Sequence, residues 1–408
     1  MARVYVGSEV GTLRRVLLHR PEFSLTRLTP RNFEDLLFDD VVRVKRAGSE
    51  HDLFVKALED NGVEVLLLHQ LLAETLEVEE ARRWVLDHQV PETSLGPGLA
   101  RSVRDYLEAM DGEAMASALI GGLTQDDLVD PPQSLTAELI VGDTDFILPP
   151  LPNHLFTRDT SCWIYSGVSL NPMAKAARLR ETVHLKAVYR HHPIFRTSRW
   201  GVWFDGVEMG RTDASLEGGD VLVLGNGTVL AGISERTTPQ AVEMLAERLF
   251  AGGVADRVVA VDLPKHRSCM HLDTVMTQMD VDCFSVYPRI INKDTPSWDI
   301  TPGTGGGLVV TQRSDFFASL ASACGQSKLR IIPTGGDKYA AEREQWNDAN
   351  NVLTLKPGTV IGYERNGETI AAMREAGIEV ITIAGEELGR GRGGPRCMSC
   401  PVERDGIG

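Results

Sequence analysis

Gly62-Val63-Glu64-Val65-Leu66-Leu67-Leu68 and Gly377-Ile378-Glu379-Val380-Ile381-Thr382-Ile383 are nearly the same words, written at opposite ends of the chain. Each opens on a glycine that stops a helix and continues as an apolar strand. The helix before the first runs from Ser49 to Asn61. Ser49 is its expected cap, Asp52 sits at the capping-box position, and Leu53, Phe54, Ala57 and Leu58 form one apolar stripe. The helix before the second runs from Glu368 to Ala376.

Three more helix-then-strand units lie between them. Ala174 to Ala187 leads to Gly201-Val202-Trp203-Phe204. Thr238-Pro239 caps and opens a helix through Phe250, leading to Val258-Val259-Ala260-Val261. Ser314 is the expected cap of a helix through Cys324, leading to Leu329-Arg330-Ile331-Ile332. Extended sequence precedes each helix. The clearest case is Val221-Leu222-Val223-Leu224, then Gly225-Asn226-Gly227, then Thr228-Val229-Leu230, where Asn-Gly signals a hairpin. Val352 to Leu355, Lys356-Pro357-Gly358 and Thr359 to Gly362 form another.

The chain therefore reads as five strand–strand–helix–strand units. Extra length falls between the first and second helices, at about 71–140, where Glu79 to Asp87 and Arg101 to Met110 look helical. A fivefold array with a helical insertion fits, and so does an ordinary α/β sheet with five crossovers. Against the second, doubly wound sheets join strands by one helix each, not by a hairpin plus a helix.

Composition narrows the function classes. With 42% hydrophobic and 24% charged residues, the 408-residue chain is not disordered. No apolar run approaches the roughly 18 residues that a membrane span needs. Met1-Ala2-Arg3-Val4-Tyr5 has no apolar h-region, so no signal peptide is expected. A net charge of −15 argues against a nucleic-acid groove and is weakly consistent with a cationic small substrate. Six cysteines are sparse for this length, and in a chain that reads as cytoplasmic they are expected to be thiols.

The last residues hold the most chemistry: Gly389-Arg390-Gly391-Arg392-Gly393-Gly394-Pro395-Arg396-Cys397-Met398-Ser399-Cys400. Gly389, Gly391 and Gly394 match G-x-G-x-x-G, but Pro395 follows at once and no βαβ unit surrounds them. Cys397 and Cys400 form C-x-x-C, yet one pair cannot fill a tetrahedral zinc site and no second pair exists. The third reading is a nucleophilic cysteine whose thiol is acidified by Arg390, Arg392 and Arg396. A structural cysteine at an arginine-decorated turn fits equally well.

Partners for a nucleophile exist. His271-Leu272-Asp273 lies in an extended-looking run, where residues i and i+2 share a face, so imidazole and carboxylate would point together. A solvated surface pair is the plainer reading. Asp159 follows Asn153-His154-Leu155-Phe156-Thr157-Arg158, and Leu216-Glu217-Gly218-Gly219-Asp220 opens the first hairpin. Gly-Gly-Asp recurs at Gly335-Gly336-Asp337, so turn or capping duty fits each acid taken alone.

Together these words resemble the arginine deiminase family of the guanidine-modifying (pentein) superfamily. The resemblance runs from Val16-Leu17-Leu18-His19-Arg20-Pro21 and Leu36-Leu37-Phe38-Asp39-Asp40 through Phe156-Thr157-Arg158-Asp159 and Glu217-Gly218-Gly219-Asp220. It continues in Ile233-Ser234-Glu235-Arg236-Thr237, Met270-His271-Leu272-Asp273-Thr274 and Glu344-Gln345-Trp346-Asn347-Asp348, and ends at Arg390 to Met398. Departures such as Ala349, where glycine is usual, touch no proposed catalytic position.

The resemblance implies a five-bladed α/β propeller of ββαβ units with pseudo-fivefold symmetry, in one catalytic domain over 1–408 with a helical insertion at 71–140. It implies hydrolysis of L-arginine to L-citrulline and ammonia, with no metal or organic cofactor. Cys397 would attack the guanidinium carbon. His271 would protonate ammonia and then activate water. Asp159 and Asp273 would hold the guanidinium, with Glu217 beside them. Arg178 and Arg236 would pair with the substrate carboxylate, Arg180 being an alternative to Arg178. Asn153 and Phe156 would line the pocket, and Gly391 and Arg392 would belong to a closing loop. A homo-oligomer without nucleic-acid or membrane partners is expected. Hydrolases of agmatine or methylated arginine, or a silent arginine-binding homologue, are the alternatives.

Overall fold

The computed structural model describes residues 4–128, 135–140, 146–210 and 212–407. One connection recurs in five sheets. A first strand runs antiparallel to a second, a helix follows, and a third strand returns parallel to the second. In the unit read most directly from sequence, Val221–Gly225 pairs with Thr228–Ile233. Helix Pro239–Ala251 then leads to Arg257–Asp262. Thr238 caps that helix by accepting the Ala241 N–H, and Ala241, Val242, Leu245, Ala246 and Leu249 form its buried stripe. Both strands of the hairpin are buried along nearly their whole length, which is why they read as continuous apolar runs.

The first unit draws on both ends of the chain. Strand Leu13–Leu18 pairs antiparallel with Cys400–Arg404 and parallel with Glu64–Leu67, across helix Val44–Glu59. The strand just after Cys397 is therefore locked between Tyr5–Val6 and Leu13–Leu18, from the first residues described. The last unit pairs Leu353–Lys356 with Thr359–Tyr363 and, after helix Gly367–Glu375, with Glu379–Ile383. The two repeated words thus occupy equivalent places, and Gly62 and Gly377 both adopt the left-handed conformation, φ 77° and 85°. In the unit built on Met276–Asp280, Cys283–Val286 and Arg330–Pro333, a hairpin of Ser297–Gly303 and Gly307–Arg313 extends the preceding sheet.

The stretch expected to be helical holds helices Leu68–Leu76, Glu79–Gln89, Glu92–Glu108 and Gly112–Gly121. Residues 129–134 of it lie outside the described residues. The sheets are hydrogen-bonded separately, with an isolated bridge between Val6 and Tyr165 linking the first to the next. The ladders form no closed circuit, so the structure supports an α/β fold of five like units, not a closed propeller.

Local details differ from the sequence reading. Helix Val44–Glu59 begins before Ser49, whose hydroxyl donates to the Lys45 carbonyl inside it. Asp52 pairs with Arg20 instead of closing a capping box. Asp315, not Ser314, caps helix Phe316–Ala323. A carboxylate one residue on offers the stronger acceptor to the Ala318 N–H. Among the described residues no helix is long and apolar enough to cross a membrane.

Candidate active site

Segments far apart in sequence meet around one enclosed cavity lined by Asn153, Phe156, Asp159, Arg178, Arg236, His271, Gly391, Arg392 and Cys397. Asp159 sits in the short helix Thr157–Thr160. Thr157 Oγ1 anchors that helix to the Leu17 and Met398 carbonyls, and the Arg158 N–H donates to the Cys397 carbonyl. The acid and the sulfur are thereby held by one local frame.

His271-Leu272-Asp273 is not an extended run. His271 precedes a 3-10 turn, Leu272–Thr274, fixed by the Leu272 N–H donating to Asp220 Oδ1. The turn aims the two side chains at different partners. His271 Nε2 lies 2.7 Å from Glu217 Oε2, and its Nδ1 is 3.7 Å from Asp159 Oδ1. Asp273 Oδ2 instead takes Arg396 Nη1 at 2.8 Å and faces Cys397 Sγ at 3.5 Å.

Electrostatics divide the roles. Burial disfavours a proton on His271, but the Asp159 and Glu217 carboxylates outweigh it and raise the imidazole to about 9. Burial likewise disfavours charge on Glu217, yet the Arg236 guanidinium and His271 bring it down to about 2. Burial and then the carboxylates of Asp273, Asp159 and Asp348 hold the Cys397 thiol well above its ordinary range, with Arg396 opposing them. Both shifts favour a proton, on the His271 imidazole and on the Cys397 thiol.

Asp159, in the cavity lining, and Asp273, just behind Cys397, each have one oxygen engaged and one without a donor. Asp159 Oδ2 meets Arg178 at 2.6 Å and Asp273 Oδ2 meets Arg396, while Oδ1 of both is buried without a hydrogen-bond donor. Buried acceptors left in this way call for an explanation, and N–H groups of a ligand supply one.

The two expected carboxylate clamps differ. Arg178 is saturated: it donates to both oxygens of Glu181, to Asp159 and to the carbonyls of Asn153 and Phe156. Arg236 reaches Glu217 at 3.2 Å, and its Nη2 meets only the Met270 sulfur, at 3.8 Å. Arg180 turns away, bonding Gln89 and the carbonyls of Pro149 and Leu119. Asn153 holds the Leu36 carbonyl. Arg392, at φ 62°, stacks 3.5 Å over the Trp346 ring; its three guanidinium nitrogens are buried without a hydrogen bond among the described residues, and Nε lies 3.9 Å from Asp39 Oδ2. Cys400 lies in the neighbouring strand with Sγ 3.3 Å from the Ser161 carbonyl, and it lines no part of the cavity.

Leu37, Arg267, Met270 and Asn351 also belong here and were not singled out from sequence. The first three line the cavity; Asn351 bonds the sulfur. Leu37 and Met270 stand inside words quoted for the resemblance, which was the available signal. The space left inside is about 20 Å³, room for about one water-sized sphere, so a larger ligand requires lining residues to move.

Asp159, Glu217 and His271 bring ligand atoms within 4.8 Å of one another, close enough for a metal ion. The donor set fits one poorly. His271 Nε2 is already bonded to Glu217, and Arg178 and Arg236 contribute two guanidinium charges at the same carboxylates.

A family model described as arginine deiminase matches residues 34–404. The chain belongs to the arginine deiminase family. Its fold matches an amidinotransferase of saxitoxin biosynthesis from Microseira wollei, at 14% identity and TM-score 0.58 over 99% of this chain and 98% of that one. It also matches the N-terminal domain of a cyanobacterial arginine dihydrolase solved with its substrate, at 14% identity and TM-score 0.54 over 96% and 98%. AgrE with L-arginine matches at 14% and 0.55, over 97% of this chain and 41% of that one. Family membership makes the chain an amidino-group enzyme; the structural likenesses establish the fold alone.

Proposed function

We propose that the chain hydrolyses L-arginine to L-citrulline and ammonia through a covalent amidino-cysteine intermediate. The observation that carries this reading is a pair of buried carboxylate oxygens without a hydrogen-bond donor, Asp159 Oδ1, 3.7 Å from His271 Nδ1, and Asp273 Oδ1, whose companion Oδ2 lies 3.5 Å from Cys397 Sγ. They suit a flat, permanently charged guanidinium, whose lost hydration they replace.

The protonation states set the order of events. The substrate cation offsets Asp159 and Asp273, so the Cys397 thiol releases its proton to bulk water as the substrate enters, and the thiolate recovers one from water when it is expelled at the end. Sulfur attacks the guanidinium carbon to form a tetrahedral adduct. His271, already protonated, gives its proton to the departing amine, and ammonia leaves an amidino group on sulfur. The neutral imidazole then takes a proton from water, hydroxide adds to the same carbon, and collapse expels the thiolate and leaves the ureido group. Glu217 holds His271 through Nε2 in both steps. Arg236, with an underused Nη2, is the better clamp for the substrate carboxylate, and Arg178 holds Asp159 in place.

Consistent with this assignment, we read 1–408 as one catalytic domain with 71–140 inserted, its five units arranged as propeller blades. Incubation with L-arginine alone tests the function. Citrulline and ammonia in equal amounts support it. Ornithine without citrulline, or product only when an amine acceptor is added, would replace it with dihydrolysis or amidino transfer.

A further inference from the structure

Two adjacent asparagines end the word Asp348-Ala349-Asn350-Asn351, and they do different things. Asn350 is framework: its carbonyl takes the Thr277 hydroxyl, its Oδ1 the Thr334 hydroxyl, and its Nδ2 donates to Ser285 Oγ. Asn351 is spent on the nucleophile. Its Oδ1 accepts the Cys397 N–H at 3.0 Å, and its Nδ2 donates to Cys397 Sγ at 3.0 Å and to the Asp273 carbonyl at 3.1 Å.

We propose that Asn351 is a catalytic residue: its side-chain N–H is the donor that carries the sulfur anion during attack and again when the thiolate is expelled. The inference rests on Cys397 being the nucleophile. Among the described residues no other N–H lies within hydrogen-bond distance of that sulfur. The opposite side of Sγ faces the Asp273 carboxylate, which suits a thiol that donates and repels a thiolate. Arg396 is the nearest cation in sequence, but its three nitrogens are committed to Glu9, Asp273 and the Val221 carbonyl. A neutral amide is the suitable donor here, because it steadies the anion without binding the substrate carboxylate or competing with its guanidinium.

Asn351→Asp separates this role from loop support. The isosteric carboxylate keeps the acceptor for the Cys397 N–H and removes the donor to sulfur. The readout is iodoacetamide labelling of Cys397 against pH, followed on its own peptide, together with kcat and KM for arginine. A lost hydrogen bond to a charged group predicts labelling at neutral pH slowed about 10- to 100-fold, its midpoint raised by about one to two pH units. Turnover should fall with kcat, KM changing by less than about threefold. Asn351→Ala should shift the labelling profile the same way. A labelling profile superimposable on wild type in either folded variant would overturn the proposal, as would failure of both to fold, which would make the amide framework like Asn350. Labelling needs no substrate, so a wild-type chain inert to arginine would sink the proposed function and leave this readout intact.

Discussion

Arg178 Nη1 lies 2.6 Å from Asp159 Oδ2, with both side chains buried and Glu181 and the Asn153 and Phe156 carbonyls taking the rest of the guanidinium. A protein arginine thus already occupies half of the carboxylate assigned to a substrate arginine. On the proposed function, Asp159 is oriented by one guanidinium so that it can receive another, and the bonds Arg178 makes favour a positioning role over the expected carboxylate clamp.

Arg178→Ala should therefore damage the fold as well as the site. It strands Asp159 and Glu181 as buried unpaired carboxylates, which costs about 3–5 kcal/mol. Chemical denaturation measures the loss. A variant as stable as wild type, with only KM raised, would return Arg178 to the clamp.

Arg236→Ala should act on specificity. Losing a charged bond to the substrate carboxylate predicts a fall in kcat/KM for arginine about 10- to 100-fold larger than for agmatine, which has no carboxylate. Parallel kinetics on the two substrates decide the matter; equal losses would remove the clamp from this side chain.

The buried histidines should make stability depend on pH on both sides of 6.5. His271 holds its proton to about 9 in the folded chain, above an ordinary 6.5, so its contribution is complete below 6.5 and is lost as pH climbs towards 9. Burial does the reverse to His19 and His51, pushed down to about 3 and about 4. It also lowers His154 and His184, with their histidine and arginine neighbours assisting. Below pH 6.5 the unfolded chain takes protons these four refuse, so their contribution falls, while Glu181, Asp220 and Asp348, raised to about 7 by burial, oppose it. Replacing His271 with Gln should flatten the alkaline limb, by at most about 1.4 kcal/mol per pH unit, and leave the acid limb. An unchanged alkaline limb would contradict the imidazolium assignment.

Gly393→Ala should slow chemistry without unfolding the protein. A Cβ there would stand 2.4 Å from the Phe156 ring and 3.0 Å from the Cys397 Cβ, displacing the nucleophile. Misplacement on the order of 1 Å predicts a kcat about 100-fold lower. Steady-state kinetics at unchanged melting temperature check it.

What sequence could and could not reveal follows from the range of the interactions. The hairpin at Asn226-Gly227 and the helix opened by Thr238-Pro239 are local and were readable. The pairing of Cys400–Arg404 with Tyr5–Val6 and Leu13–Leu18 is long-range and has no local signature. The His271-Leu272-Asp273 turn looked extended because its conformation depends on a carboxylate from elsewhere, Asp220. Asn351 was invisible for the same reason: its meaning lies in Cys397, a partner supplied by another segment.

The central claim is a covalent bond between the Cys397 sulfur and the guanidinium carbon of the substrate. Mass spectrometry of protein mixed with L-arginine and quenched in acid during turnover tests it most directly. The peptide holding Cys397 should gain the mass of arginine less ammonia, and Cys397→Ser should bind arginine yet gain nothing and release no citrulline. Citrulline formed while that peptide stays unmodified at every quench time, or by the serine variant at a comparable rate, would contradict it.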